Sequence, residues 1–212
     1  MSRLLDSGLE QLTTMLLKMG ETAEKSISES VEGFMQGRDA TKKVHELSEV
    51  LLTMTVSVED KAFELIVKYQ PVASDLRIIN SYMKIAYDLE RYGRYAWDIS
   101  FTHKKLADSQ KCVYSWDLME KMSGKALEMV HISIKSLRDQ NAELAKTLAK
   151  TENEVDEIYF KHLDHLSKAI PRTKCVVCNL LVARYLERIA DHATYMGEAI
   201  VYIATGEKLT LR

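Results

Sequence analysis

Leu5, Leu9, Leu12, Leu16 and Met19 fall three or four residues apart and share one stripe of a helix, and this spacing of apolar positions recurs along nearly the whole chain. No segment reads as a credible strand. The pattern breaks near Gln36 to Asp39, at Gln70 and Pro71, around Lys105 to Lys111, near Asp139 to Asn141, and at Pro171. Six helical stretches of roughly 25 to 35 residues remain, a length that implies helices packed side by side in bundles. Pro71 is expected in the first turn of the third stretch, where its missing N–H would be unpaired in any case, with Ser74 and Asp75 favouring the same end. Pro171 is expected to open the sixth.

The chain also repeats. Tyr82 to Ala96, YMKIAYDLERYGRYA, aligns without gaps on Asn179 to Ala193, NLLVARYLERIADHA, at an offset of 97 residues, and Met19-Gly20 aligns with Met122-Ser123 at an offset of 103. The halves share their helix order and differ mainly in the connector before Gln70. The expectation is an all-α chain of two tandem three-helix units, residues 1–107 and 108–212.

Composition narrows the function classes. A chain of 212 residues can bury a core without metals or disulfides, and only two prolines and eight glycines interrupt it. A net charge of −2 and a pI near 6.3, with no dense basic stripe carrying interleaved aromatics, argue against a nucleic-acid partner. The longest uncharged stretches, such as Cys175 to Ala183, are about half of the ~20 residues a membrane span requires. The N-terminal segment carries Asp6 and Glu10 and lacks a secretory signal, so a cytoplasmic location is expected. Three cysteines, Cys112, Cys175 and Cys178, form an odd, sparse set and are expected to be packed and reduced.

The chemistry-bearing feature is acidic. The fifth stretch contains Glu152 and Asp156 and the sixth Glu187 and Asp191, each pair at i and i+4 on one helix face. Like charges at that spacing cost roughly 0.2–0.5 kcal/mol per pair. A shared cation would offset this, since carboxylate oxygens bind Mg, Ca, Mn, Fe and Zn. Glu198, near the face of Glu187, would add a fifth ligand. The plainer alternative is that Arg184 and Arg188, each at i−3, satisfy Glu187 and Asp191 as ion pairs.

Gln70-Pro-Val-Ala-Ser-Asp-Leu-Arg77, Asp88-Leu-Glu-Arg91 and Leu186-Glu-Arg-Ile-Ala-Asp191-His192 resemble the motifs of the PhoU family, QPxAxDLR with an ERIGD-type motif in each repeat, and the resemblance covers nearly the whole chain. It implies two three-helix repeats and a multinuclear metal site, iron or zinc, on Glu152, Asp156, Glu187 and Asp191. The first repeat departs from the pattern, with Ser48 and Leu52 at the acidic positions of its second helix and Arg94 after Glu90. That half-site is read as lost, with Glu90 pairing to Arg94, so a metal would sit in the C-terminal repeat alone. The resemblance further implies a regulatory adaptor that restrains phosphate uptake by binding the ATPase subunit of an ABC phosphate importer, acts on a sensor histidine kinase where one is present, and forms a homodimer. Two other readings stand beside it: a metal-dependent phosphate or polyphosphate binder or hydrolase, and a PhoU-like regulator of another transporter.

Other motifs read as structural. Cys175-Val-Val-Cys178 lacks both a βαβ context and further zinc ligands. Glu128-Met-Val-His131 is a single copy of a motif that di-metal bundles use twice. His162 and His165 are expected on a solvated helix face. There is neither a phosphate-cradling glycine loop nor a nucleophile elbow, and no enzyme is expected.

Overall fold

The computed structural model describes residues 2–107, 116–168 and 173–211. The first unit comprises α1 (Ser2–Gln36), α2 (Thr41–Tyr69) and α3 (Ser74–Leu106); the second comprises α4 (Trp116–Asp139), α5 (Ala142–Lys146), α6 (Leu148–Ser167) and α7 (Thr173–Thr205). The all-α pair of three-helix units expected from the sequence is observed. Its fifth stretch is divided at Thr147, whose hydroxyl donates to the Leu144 carbonyl at 2.7 Å. The Thr147 N–H donates to the same carbonyl, so the local turn is tightened to i→i+3 spacing.

The repeat extends to how the first helix of each unit ends. Gly37, at φ 69°, follows α1, with Arg38 N–H donating to Gly33 O and Gly37 N–H to Phe34 O. Gln140, at φ 48°, follows α4, with Asn141 N–H donating to Ser136 O and Gln140 N–H to Leu137 O. Both are Schellman endings with a left-handed residue just past the helix. Gly37 and Gln140 are 103 residues apart, the offset of Met19 and Met122. Glycine suits this conformation, whereas a residue with a Cβ carries a steric cost.

Pro71 does not occupy a helical first turn. It lies in the connector, followed by Ala73 at φ 48°, and α3 starts at Ser74. The turn geometry takes up the proline and leaves Asp75 in the first helical turn, where a carboxylate complements the helix dipole. Pro171 lies outside the described residues.

Apolar stripes explain the packing. Leu12, Leu16, Met19, Ala23 and Ile27 of α1 are sealed from solvent, as are Ile85, Leu89, Tyr92 and Ala96 of α3 and Leu186, Ile189, Ala190 and Ala193 of α7. Helices α3 and α7 lie against each other at the centre. The first two helices flank α3, while α4 and α6 flank α7 and α1 also meets α4. The apolar core is therefore continuous from one unit into the other. Close helix approach needs small residues: a Cβ on Gly93 would come within 2.4 Å of Leu51 Cδ1, and one on Gly20 would come within 3.0 Å of Ile134. Among the described residues no helix is long and apolar enough to cross a membrane.

Candidate functional site

The acidic face of the second repeat forms where α6 and α7 pack together. Glu152 and Asp191 are buried, and Asp156 and Glu187 half-buried. Burial raises the Glu187 carboxyl above its ordinary range, and the charges of Asp191 and Asp156 raise it further against the pull of Arg184. Asp156 of α6 and Glu187 of α7 are near enough for their charges to act on one another. Arg184 donates to Glu187 Oε1 at 2.5 Å and Arg188 to Asp191 Oδ2 at 2.7 Å, the i−3 pairs that are the alternative to a shared cation. Glu187 Oε2 remains buried with no hydrogen-bond partner.

For a metal, these residues supply fitting donor chemistry. The orphaned Glu187 oxygen and the crowding of negative charge suit a cation. Among the described residues, however, no group of three or more His, Cys, Asp or Glu side chains is gathered to hold one. The two arginines supply the facing positive charge. Glu198 is not part of this face: one of its oxygens accepts the Leu211 N–H at 2.9 Å, and it lines a cavity on the α3 side of α7.

In the first repeat, Ser48 is buried under Gly93 and Leu52 is exposed, so no acidic pair faces the helix bearing Glu90. The expected Glu90–Arg94 pair does not form. Arg94 Nε reaches Asp98 at 4.0 Å instead, and its guanidinium lies 5.0 Å over the Trp97 ring. An aromatic face and a carboxylate together outcompete one half-buried i,i+4 partner.

Three other expectations change. His162 is not on a solvated face: it is 0% exposed, both ring nitrogens lack partners, and burial lowers its pKa to about 4. His165 is exposed, and the three-residue spacing could not show that Leu166 and His162 point into the core while it does not. Cys175 is disulfide-bonded rather than reduced. Cys178 is a free buried thiol, held by burial at a pKa of about 11, and Cys112 lies outside the described residues.

One constellation was not anticipated. Where α3 crosses α7, His192 Nδ1 and Asp88 Oδ1 share a hydrogen bond of 2.7 Å, and both residues are buried. Burial pushes the Asp88 carboxyl above its usual range despite this bond. The internal repeat accounts for the position. At the offset of 97, Asp88 corresponds to Tyr185 and His192 to Tyr95, and Tyr95 and Tyr185 stack at 6.2 Å. One pair maps onto the other across the approximate two-fold relation of the repeats. An acid and an imidazole facing each other where the other copy has two tyrosines was the available sequence signal.

Comparison with known proteins is consistent across the chain. The PhoU domain model matches residues 16–101 and again 119–200. The phosphate-specific transport system accessory protein PhoU homolog of Clostridium acetobutylicum is 31% identical over 99% of this chain and 98% of its own length. Homolog 1 of Methanothermobacter thermautotrophicus is 30% identical over 94% of each chain. The crystal structure of PhoU from Pseudomonas aeruginosa superposes with a TM-score of 0.90 at 25% identity, covering 95% of this chain and 99% of that one.

Proposed function

Because this chain belongs to the PhoU domain family, we propose that it is a non-catalytic regulator of phosphate transport that restrains uptake by binding the ATPase subunit of an ABC phosphate importer, and a sensor histidine kinase where one is present. The accessory role is carried in the names of its relatives. The choice of a helical adaptor surface rests on one observation: α2 carries a stripe of apolar side chains that the fold leaves uncovered. Leu52, Val56, Phe63 and Val67 recur at helical spacing and are 47–77% exposed. At the 104-residue spacing that relates Ser48 to Glu152, Val56 corresponds to Phe160 of α6, itself 64% exposed. An amphipathic face of this kind binds by laying its anchors into a partner's groove. Phosphate uptake measured in cells lacking the gene tests the regulatory reading: uptake should rise and return to normal on complementation. Unchanged uptake would reject it.

A second reading is favoured by the orphaned Glu187 oxygen. Glu152, Asp156, Glu187 and Asp191 would exchange Arg184 and Arg188 for iron or zinc, tying α6 to α7. Metal analysis of wild type beside Glu187→Ala/Asp191→Ala decides this, because metal held equally by both proteins, or by neither, rejects it.

A further inference from the structure

Between α3, α7 and the chain that follows α7 lies a hollow of about 590 Å³, within the size range of small-ligand sites. Its chemistry is graded. At the buried end, Asp88 is 5% exposed, and among the described residues its side-chain hydrogen bond is to His192. Glu198, on the facing helix, gives one oxygen to Leu211 N–H, and its charge reaches Asp88. Tyr195 and Tyr202 line the same space, as do two exposed lysines, Lys84 and Lys208. Two carboxylates from different helices form a setting for a protonated amine, held by charge, while the Tyr202 ring already carries the Lys208 ammonium at 5.9 Å and the Arg77 guanidinium at 5.7 Å. The exposed lysines place positive charge at the outer end, where an acidic group would be held.

We propose that this cavity binds a small zwitterion, an amino acid or a close derivative, with its ammonium group between Asp88 and Glu198 and its acid group on Lys84 and Lys208. A bare anion such as inorganic phosphate would meet both carboxylates. For a bare metal ion, no group of three His, Cys, Asp or Glu side chains is gathered among the described residues. The proposal stands independently of the adaptor reading. Its consequence for the fold is direct, because the ligand would bridge the central helix of one repeat to that of the other, beside the Asp88–His192 bond.

The test is thermal-shift screening of the full-length protein with each of the twenty common L-amino acids and glycine betaine at about 1 mM, the weak end of specific binding. Calorimetric titration then follows each compound that stabilises. Ammonium chloride and inorganic phosphate serve as controls. At least one zwitterion should bind. Its Kd should rise at least ~10-fold in Glu198→Gln, which retains an acceptor for Leu211 N–H, and likewise in Lys208→Ala. Glu90→Gln, outside the cavity, should leave it unchanged. The proposal is overturned if no zwitterion binds, if binding survives both substitutions, or if ammonium or phosphate alone binds as tightly.

Discussion

Replacing Asp88 and His192 by alanine, singly and together, measures how firmly the two repeats are joined at their centre. The hydrogen bond between them is 2.7 Å long and both side chains are buried. Removing His192 leaves the buried Asp88 carboxyl without its hydrogen-bond partner, at a cost of about 1–3 kcal/mol. Removing Asp88 strands a buried imidazole nitrogen at a cost of about 1–3 kcal/mol. The ring contacts of His192 with Tyr87, Tyr95 and Tyr195 are lost in its single variant and in the double variant alike, so they cancel in the cycle. A coupling energy of about 1.5–3 kcal/mol should remain, that of a hydrogen bond to a charged group. Urea unfolding followed by circular dichroism and by tryptophan fluorescence provides the values, with coincident transitions as the check on two-state behaviour. Single effects that add within ~0.5 kcal/mol would refute the claim that this bond joins the repeats. The pH dependence has a definite sign. Burial outweighs His192 and raises the Asp88 carboxyl, so folding favours its protonated form. That contribution is complete below the ordinary carboxylate range and is lost as the pH rises through the raised value. Asp88→Asn should therefore compare better with wild type at about pH 8 than at about pH 4.

Two glycines should respond to alanine in opposite directions. A Cβ on Gly33 would lie 2.8 Å from Ala40 Cβ and 3.0 Å from Arg38 O, neither of which can yield cheaply, so overpacking of about 1–3 kcal/mol should outweigh the helix-propensity gain. A Cβ on Gly124, inside α4, meets nothing within 4 Å, and its replacement should stabilise by about 0.4–1 kcal/mol. Matching signs in thermal unfolding would contradict this reading of the helix contacts. His162, with its pKa lowered to about 4 by burial, favours the neutral ring in the folded state. Its contribution is present above the unfolded value and should be lost as the pH falls from about 6.5 to about 4. His162→Leu should flatten that part of the stability profile. An NMR titration that places the ring near 6.5 would overturn the assignment.

The legible part of this protein was its periodicity. The stripe Leu12, Leu16 and Met19 is buried as its spacing requires, and the 97-residue offset that aligns α3 with α7 also relates Asp88–His192 to Tyr185–Tyr95. The i−3 arginines of Glu187 and Asp191 were equally readable, because helical spacing alone brings such partners together. What escaped depended on helices meeting. His162 and His165 differ by only three residues, yet packing buries one and not the other. Arg94 chose among partners that helical spacing leaves equally available, and an aromatic ring decided the outcome. The cavity beside Asp88 draws on α3, α7 and the residues after Gly206, so no local motif announces it.

The adaptor reading is tested most directly by titrating the purified ATPase subunit of the organism's own phosphate importer into this protein, wild type and Phe63→Asp, with melting temperatures confirming that both are folded. Phe63 is 57% exposed on the uncovered α2 stripe, so the substitution should spare the core. The account predicts saturable binding by wild type and a Kd at least ~10-fold weaker, about 1.4 kcal/mol, for Phe63→Asp. No binding by wild type, or equal affinity for the two proteins, would contradict it.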